Sequence, residues 1–574
     1  MDIAKKRVVI VGGVAGGATC AARLRRVDEN AEIVVLERGS HVSFANCGLP
    51  YYVGNVIHDE SKLLLATPAL FQERFNIDVR TRNEVTAIHR EERSITVRNL
   101  ETGRDYREPY DALVLSPGAL PICPPWPGIR LPGIFTLRTI PDSRHMRDWI
   151  DARNPRTAVV VGAGFIGLET AENLAHRGIA ITLIELADQV MPPLDKEMAA
   201  YAQQRLEAQG VELLLGDGVT GFEQHHNGAL RVHTQAGAAF DADMVVLALG
   251  VRPQTQLARD AGLELGERGG IRVDEQMRTS DPDIWAVGDA VEVRNRITGA
   301  WELIPLAGPA NRQGRVAADA ICGRDVQFEG ALATAVCGFF GLTVALTGAT
   351  EKALSRAGIE DYQAVYLHPN HHVAYYPGAH PIHMKLLYRK SDGRVLGAQA
   401  VGDAGAERRI DVIATAMQMK ATVHDLEEAE LCYAPQYGAA KDPVNLAGFI
   451  AGNALRGDMA FAPWDCVHST SAFLLDVREL HEFRAGYIPG CVNIPLGQLR
   501  SRLSELPRHK DIWVTCGVGQ RAYYACRILS QHGLRARILS GGYSTYCVLY
   551  PEKSGRARET EVAKVELQAD PVSV

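Results

Sequence analysis

The chain has 574 residues, is 46% hydrophobic and 22% charged, and carries a formal net charge of −7. At roughly 150 residues per compact unit the length implies about four units, and the composition is that of a folded α/β enzyme, not of a disordered or fibrous chain. Basic and acidic residues are interleaved, so nothing offers nucleic acid a basic stripe, and no apolar run reaches the roughly 18 residues of a membrane helix.

Lys5, Lys6 and Arg7 precede VVIVGGVAGGA, where glycines break the apolar run, so a strand and a turn are predicted instead of a secretion signal. The 11 cysteines show no CxxC pair and no zinc-ligand spacing. That pattern argues against a disulfide scaffold or a structural metal and implies that a special cysteine acts singly, while the expected lack of a secretion signal or membrane helix predicts a cytoplasmic enzyme.

From Arg7 onwards, RVVIVGGVAGGATCAARLRR predicts a buried strand, a glycine turn and a helix, and TAVVVGAGFIGLETAENLAHRG repeats the grammar from Thr157. In the second turn Gly162, Gly164 and Gly167 give GxGxxG, and Glu185 closes the next strand, ITLIE. The glycines let the backbone approach a pyrophosphate at a helix N-terminus, and the acid accepts ribose hydroxyls. Glu185 favours NADH over NADPH, because a carboxylate repels a 2′-phosphate. In the first turn Gly12, Gly13, Ala15, Gly16 and Gly17 line the same path, with Val14 at the middle glycine position and Glu37 as the ribose acid 20 residues beyond Gly17. Strand ends at DALVLSPGALP (Gly118), MVVLALGVRP (Gly250) and DIWAVGDA (Asp289) supply the places along which a flavin's long chain runs, so FAD is expected at the first site.

These motifs resemble the two-dinucleotide flavoprotein disulfide reductases over about the first 450 residues. The resemblance implies that Asp289 contacts the flavin ribitol chain and that a third domain forms a homodimer interface. Most of that family uses CxxxxC, whereas SFANCGLPYY holds Cys47 with no partner cysteine. A single thiolate beside a flavin can attack a disulfide or persulfide and be restored by reducing equivalents. SFANCGLP resembles the single-cysteine subgroup of coenzyme A-disulfide reductases, coenzyme A-persulfide reductases and NADH oxidases. ATCAARLRR matches the pattern of the coenzyme A-disulfide reductases, which implies a coenzyme A site at Thr19, Arg23, Arg26, Ser43 and Asn46, with the arginines on its phosphates. Arg23 and Phe75 depart from residues found in some members. AYYPGAHPIHMK and CYAPQYGAAKDPVN resemble the segments by which one subunit completes the other's active site, placing Tyr433 and one of Tyr375 or Tyr376 near the partner's Cys47. His368, His371, His372, His380 and His383 cluster nearby without regular ligand spacing, so no metal is expected.

Farther on, LLDVRELHEFRAGYIPGCVNIPLGQL, DIWVTCGVGQRAYYACRILSQHG and LSGGY resemble a rhodanese domain. The loop from Cys516 to Arg521 has the CxxGxR form, which cradles an anionic cysteine persulfide on backbone N–H groups. Cys516 is the expected sulfur carrier and Arg521 its aid; Asp476, Arg478 and Cys526 are read as structural.

The expected architecture is multidomain α/β: two Rossmann-like dinucleotide-binding domains, an α+β dimerisation domain and a C-terminal rhodanese domain. The boundaries are FAD-binding at 1–150 and 281–325, NAD(P)H-binding at 151–280, dimerisation at 326–453, a linker at 454–466, rhodanese at 467–550 and a tail at 551–574. The expected activity is NADH-driven, FAD-dependent reduction of coenzyme A persulfide, coenzyme A disulfide, polysulfide or another small persulfide through Cys47. The alternatives are an oxygen-reducing NADH oxidase and a sulfur-relay or redox-sensing protein.

Overall fold

A computed structural model describes residues 5–226 and 228–553. The expected tail from residue 554 onwards lies outside the described residues. The chain forms two compact units, one of residues 5–192 with 206–333 and one of 193–205 with 334–553.

The first unit contains two parallel five-stranded sheets. One runs in the order Ile284–Ala286, Ala112–Leu115, Arg7–Val11, Glu32–Glu37, Asp78–Thr81. Its central strands, VVIV and ALVL, are buried on both faces, which is why they read as continuous apolar runs without alternation. The other runs Glu212–Leu215, Ala180–Glu185, Thr157–Val161, Met244–Leu247, Ile134–Phe135. In each sheet the glycine turn follows a central strand and opens a helix, Ala15–Val27 in one and Phe165–His176 in the other. Strand Ile284–Ala286 joins the first sheet from far along the chain, and Asp289 follows directly in the short helix Gly288–Ala290.

In the second unit an antiparallel sheet runs Ala335–Phe339, Leu342–Gly348, Val395–Gly402, Ile382–Tyr388, Gln363–Leu367. A parallel sheet runs Phe461–Ala462, Ala536–Leu539, Ile512–Thr515, Phe473–Asp476, Val492–Asn493. The first of these strands lies inside the stretch expected to be a linker at 454–466. Two residues are too few to show a periodic pattern, and only pairing with Ala536–Leu539 makes them a strand. The two layers are joined by polar contacts. The Tyr366 backbone N–H donates to Ser540 Oγ at 2.9 Å, and His368 Nε2 lies 2.9 Å from Thr545 Oγ1.

Residues 193–205 belong to this unit because buried Lys385, on strand Ile382–Tyr388, gathers three carboxylates. Its ammonium meets Asp195 at 2.8 Å and also Glu197 and Glu351. This acidic trio is the group of metal-ligand character among the described residues, and the lysine fills its centre. The expected histidine cluster makes local pairs instead: His368 Nδ1 lies 2.9 Å from His383 Nδ1, and the His383 ring stacks on Tyr201 at 3.9 Å. No helix among the described residues is long and apolar enough to cross a membrane.

Candidate functional site

The two glycine turns are built alike down to single bonds. Gly12 has φ +94°, and a Cβ there would lie 2.1 Å from Ser116 O; Gly162 has φ +105°, and its Cβ would lie 2.4 Å from Ala248 O. One turn later, a Cβ on Gly17 would meet Gly12 O at 1.9 Å, and one on Gly167 would meet Gly162 O at 1.9 Å. No side chain fits at these four positions without moving the backbone. Val14 and Gly164 are the N-cap residues of their helices, and neither helix has a side-chain cap, so the first N–H groups are left for a ligand. Beyond the Gly164 position of a Cβ there is open space within 4 Å. Gly13 and Gly16 pack against Val42 and Val287, which explains why the first turn carries extra glycines.

The two acids are held in the same manner. Glu37 accepts from the backbone N–H of Gly13 at 3.0 Å and of Gly39 at 2.7 Å; Glu185 accepts from Ala163 at 2.7 Å and Ala187 at 2.9 Å. Each carboxylate is fixed at the mouth of its turn, where ribose hydroxyls are recognised. Gly118 and Gly250 both have positive φ, at +71° and +92°, and the strands they flank pair with each other, Ala119–Pro121 against Val251–Pro253. Asp289 accepts from the Arg138 guanidinium at 2.9 Å, and the Gly288 N–H donates to Gln313 at 2.7 Å. The first turn with Glu37 and Asp289 thus fits a flavin dinucleotide, and the second with Glu185 fits a nicotinamide dinucleotide.

Cys47 sits in a single helical turn, Asn46–Gly48, that leads into helix Leu49–Val53 with Pro50 at its start. The residue is exposed, yet the protein packed around its thiol pushes the pKa up, and Glu169 adds to this while Arg138 opposes it. Glu169 lies on helix Phe165–His176 and accepts from the Tyr51 hydroxyl at 3.2 Å. Burial, aided by Glu172, pushes its carboxyl up to about 7 against the pull of the Tyr51 hydroxyl. Neither Tyr51 nor Glu169 was expected at this site. A glutamate two positions after a GxGxxG glycine carries no mark of its own until the fold brings it beside the cysteine segment.

The residues expected to hold coenzyme A are distributed unequally. Asn46 Oδ1 is buried without a hydrogen-bond partner, one residue from Cys47, which suits a site that a polar ligand completes. Ser43 adopts φ +45°, and its N–H donates to Gly13 O at 2.8 Å, tying the cysteine loop to the first turn. Thr19 bonds Asn311. Arg23 is clamped by Asp319 through two bonds of 3.0 Å, whereas Arg26 is exposed. Arg25, between them in sequence, is buried and donates to the carbonyls of Phe75, Asn76, Asp28 and Glu29.

In the second unit the hydroxyls of Tyr375 and Tyr433 lie 2.8 Å apart, and both rings are exposed, 73% and 47%. Tyr376 turns its ring edge-on to His372 at 5.5 Å instead.

Cys516 caps strand Ile512–Thr515 and is buried. The Gly519 N–H donates to its Sγ at 3.1 Å, and Gly519, at φ +102°, is the N-cap of helix Gln520–Gln531. The loop is pinned from the other side, where Tyr543 N–H donates to Cys516 O at 2.7 Å and Ser544 N–H to Gly517 O at 3.0 Å. Asp476 and Arg478 form a buried pair at 2.7 Å, and the Arg478 guanidinium lies 4.3 Å from the Tyr543 ring centre. Cys526 is buried in the same core. Arg521 donates both arms of its guanidinium to Glu482 at 2.6 Å each. Glu482 carries no mark in the sequence, because no spacing rule links it to a loop almost forty residues away.

Comparison with known proteins places these features together. Residues 6–314 match the model of pyridine nucleotide-disulphide oxidoreductases, 334–442 the dimerisation domain of that group, and 464–549 the rhodanese-like domain. A coenzyme A disulfide reductase from Staphylococcus haemolyticus is 34% identical over 452 residues, 78% of this chain and 99% of the relative. The structure of reduced CoADR-RHD from Bacillus anthracis is 48% identical with a TM-score of 0.94, over 96% of this chain and 99% of that one. A NAD-dependent persulfide reductase from A. fulgidus is 37% identical with a TM-score of 0.86, over 94% and 100%.

Proposed function

Because the chain belongs to the pyridine nucleotide-disulphide oxidoreductase family, we propose that it is an NADH-dependent, FAD-containing reductase of coenzyme A persulfide and coenzyme A disulfide, with Cys516 as a sulfane-sulfur carrier. The observation that carries the reading is the lone Cys47, beside the orphaned Asn46 Oδ1 and following the flavin turn, on a chain that also holds a complete CxxGxR loop.

Gly12, Gly13, Ala15, Gly16, Gly17, Glu37, Gly118, Gly250 and Asp289 would hold FAD, and Gly162, Gly164, Gly167 and Glu185 would hold NADH. Bound FAD supplies the electron pair drawn from NADH. The chain's own residues do the sulfur chemistry. The Cys47 thiolate attacks the sulfur attached to coenzyme A; hydrosulfide leaves from a persulfide, or coenzyme A thiolate from the disulfide, and a Cys47–coenzyme A mixed disulfide forms. Two electrons then cleave that bond and return the Cys47 and coenzyme A thiolates. Thr19, Ser43, Asn46 and Arg26 orient coenzyme A. With Arg23 already held by Asp319, Arg26 is the phosphate partner of the pair. A homodimer brings Tyr433 and Tyr375 to the partner's Cys47, where a phenol proton stabilises the leaving thiolate; the exposed pair at 2.8 Å favours Tyr375 over Tyr376. A cytoplasmic setting agrees with 11 cysteines that show no CxxC pair and no disulfide-scaffold spacing.

The test is anaerobic NADH consumption with sulfide detection for wild type, Cys47→Ser and Cys516→Ser, with coenzyme A persulfide and coenzyme A disulfide as acceptors. Turnover lost in Cys47→Ser, with one sulfide released per NADH on the persulfide, supports the reading. Oxygen consumption in air with neither sulfur acceptor turned over overturns it in favour of an oxidase.

A further inference from the structure

The persulfide loop from Cys516 to Arg521 contains a single basic side chain, Arg521. Backbone N–H groups hold a singly charged persulfide, and a doubly charged sulfur donor such as thiosulfate is drawn more strongly where a cation also faces it. Here the guanidinium is spent on the Glu482 carboxylate through two short parallel bonds, both 2.6 Å. Such bidentate, charge-assisted pairs are among the strongest that side chains form.

The carboxylate is itself held in place. Glu482 Oε2 accepts from the Glu479 N–H at 3.0 Å in a capping box that starts helix Leu480–Arg484. The same helix is braced from below, where buried Arg478 donates to the carbonyls of Glu482 and Gly486 and pairs with Asp476. Burial pushes the Glu482 carboxyl up, but the Arg521 guanidinium and the Glu479 N–H outweigh it and hold the acid below the ordinary carboxylate range, ionised at neutral pH. The guanidinium borders the loop, with its Nη2 3.5 Å from where a Cβ on Gly517 would stand. Asp476 with Arg478 and Glu482 with Arg521 cancel in pairs, so Arg521 brings no net positive charge to the loop.

We propose that Glu482 is a specificity-determining residue: by occupying both arms of Arg521 it closes the Cys516 loop to doubly charged sulfur donors and reserves it for persulfides borne on an uncharged arm, such as pantetheine. The inference rests on the carrier role of Cys516 proposed above. In the transfer, the Cys516 thiolate attacks the outer sulfur of the donor persulfide; the donor's S–S bond breaks, its sulfur leaves as a thiol by taking up the outer-sulfur proton, and the Cys516 persulfide anion forms on the Gly519 N–H. With thiosulfate the same step would expel sulfite, a dianion, past a guanidinium already neutralised by Glu482.

The test uses the full FAD-loaded protein without NADH and reads the gain of one sulfur on the Cys516 peptide by mass. Thiosulfate and pantetheine persulfide are the donors, and wild type, Glu482→Gln and Glu482→Asp the proteins. The expected result is preferential loading of wild type from pantetheine persulfide. In Glu482→Gln the thiosulfate-to-pantetheine ratio of loading rates rises about ten-fold, and Glu482→Asp, which keeps the charge, stays near the wild-type ratio. Equal loading of wild type from both donors, or an unchanged ratio in Glu482→Gln, overturns the selectivity while leaving the carrier role intact. Loading of wild type from neither donor overturns both.

Discussion

Replacing Glu169 by glutamine removes an ionisation without changing shape, and the structure assigns that ionisation a size and a sign. The carboxyl is raised from an ordinary 4.5 to about 7, chiefly by burial. At about 1.4 kcal/mol for each factor of ten, the difference is worth about 3 kcal/mol. Since the folded value lies above the unfolded one, the stabilisation is fully present below pH 4.5 and is lost as the pH rises through about 7. Wild type and Glu169→Gln should therefore have similar unfolding midpoints near pH 4.5, while at pH 8 the variant should melt higher, by about 5 °C. The same charge acts on Cys47, whose thiol it pushes up. Above pH 7, alkylation of Cys47 by iodoacetamide should be faster in the variant. The paired measurement is the melting temperature and the Cys47 alkylation rate of the FAD-loaded proteins from pH 5 to pH 8.5. Parallel curves for the two proteins in both measurements would refute the assignment.

Two further perturbations follow from the packing. Gly167→Ala puts a Cβ 1.9 Å from Gly162 O, against backbone that cannot yield cheaply, so NADH affinity should fall by at least an order of magnitude while FAD content is retained; titration of NADH binding checks this. Lys385→Met leaves Asp195, Glu197 and Glu351 facing one another without their cation, which should cost about 3–5 kcal/mol at pH 7 and less at pH 4, where the acids take up protons; melting curves at the two pH values check it.

Much of the dinucleotide chemistry was legible along the chain because it is local. A strand, a glycine turn and a helix lie within twenty residues, and the acid that completes each turn lies at the end of the next strand, so Gly12 with Glu37 and Gly162 with Glu185 form recognisable strings. Cys516 and Arg521 are legible for the same reason. The partners of these residues were not. Glu482, Glu169, Tyr51 and Asp319 carry no signal at their own positions, since an acid or a tyrosine on a helix is most often a solvated or packed side chain. The two-residue strand Phe461–Ala462 was hidden by its length, and residues 193–205 by a buried lysine almost two hundred positions away.

The sequence by itself determined the kind of chemistry. Close backbone approach demands glycine, a ribose demands an acid, and a redox or sulfur-carrying group demands cysteine, and these demands are met by residues near one another in the chain. The tertiary structure alone decided the electrostatic state of those groups. Whether Arg23 and Arg521 are committed to Asp319 and Glu482, whether Glu169 is ionised beside Cys47, and which tyrosine joins Tyr433 depend on charges and burial supplied by distant segments. Coulomb energies and desolvation follow distance through space, and separation along the chain does not record it.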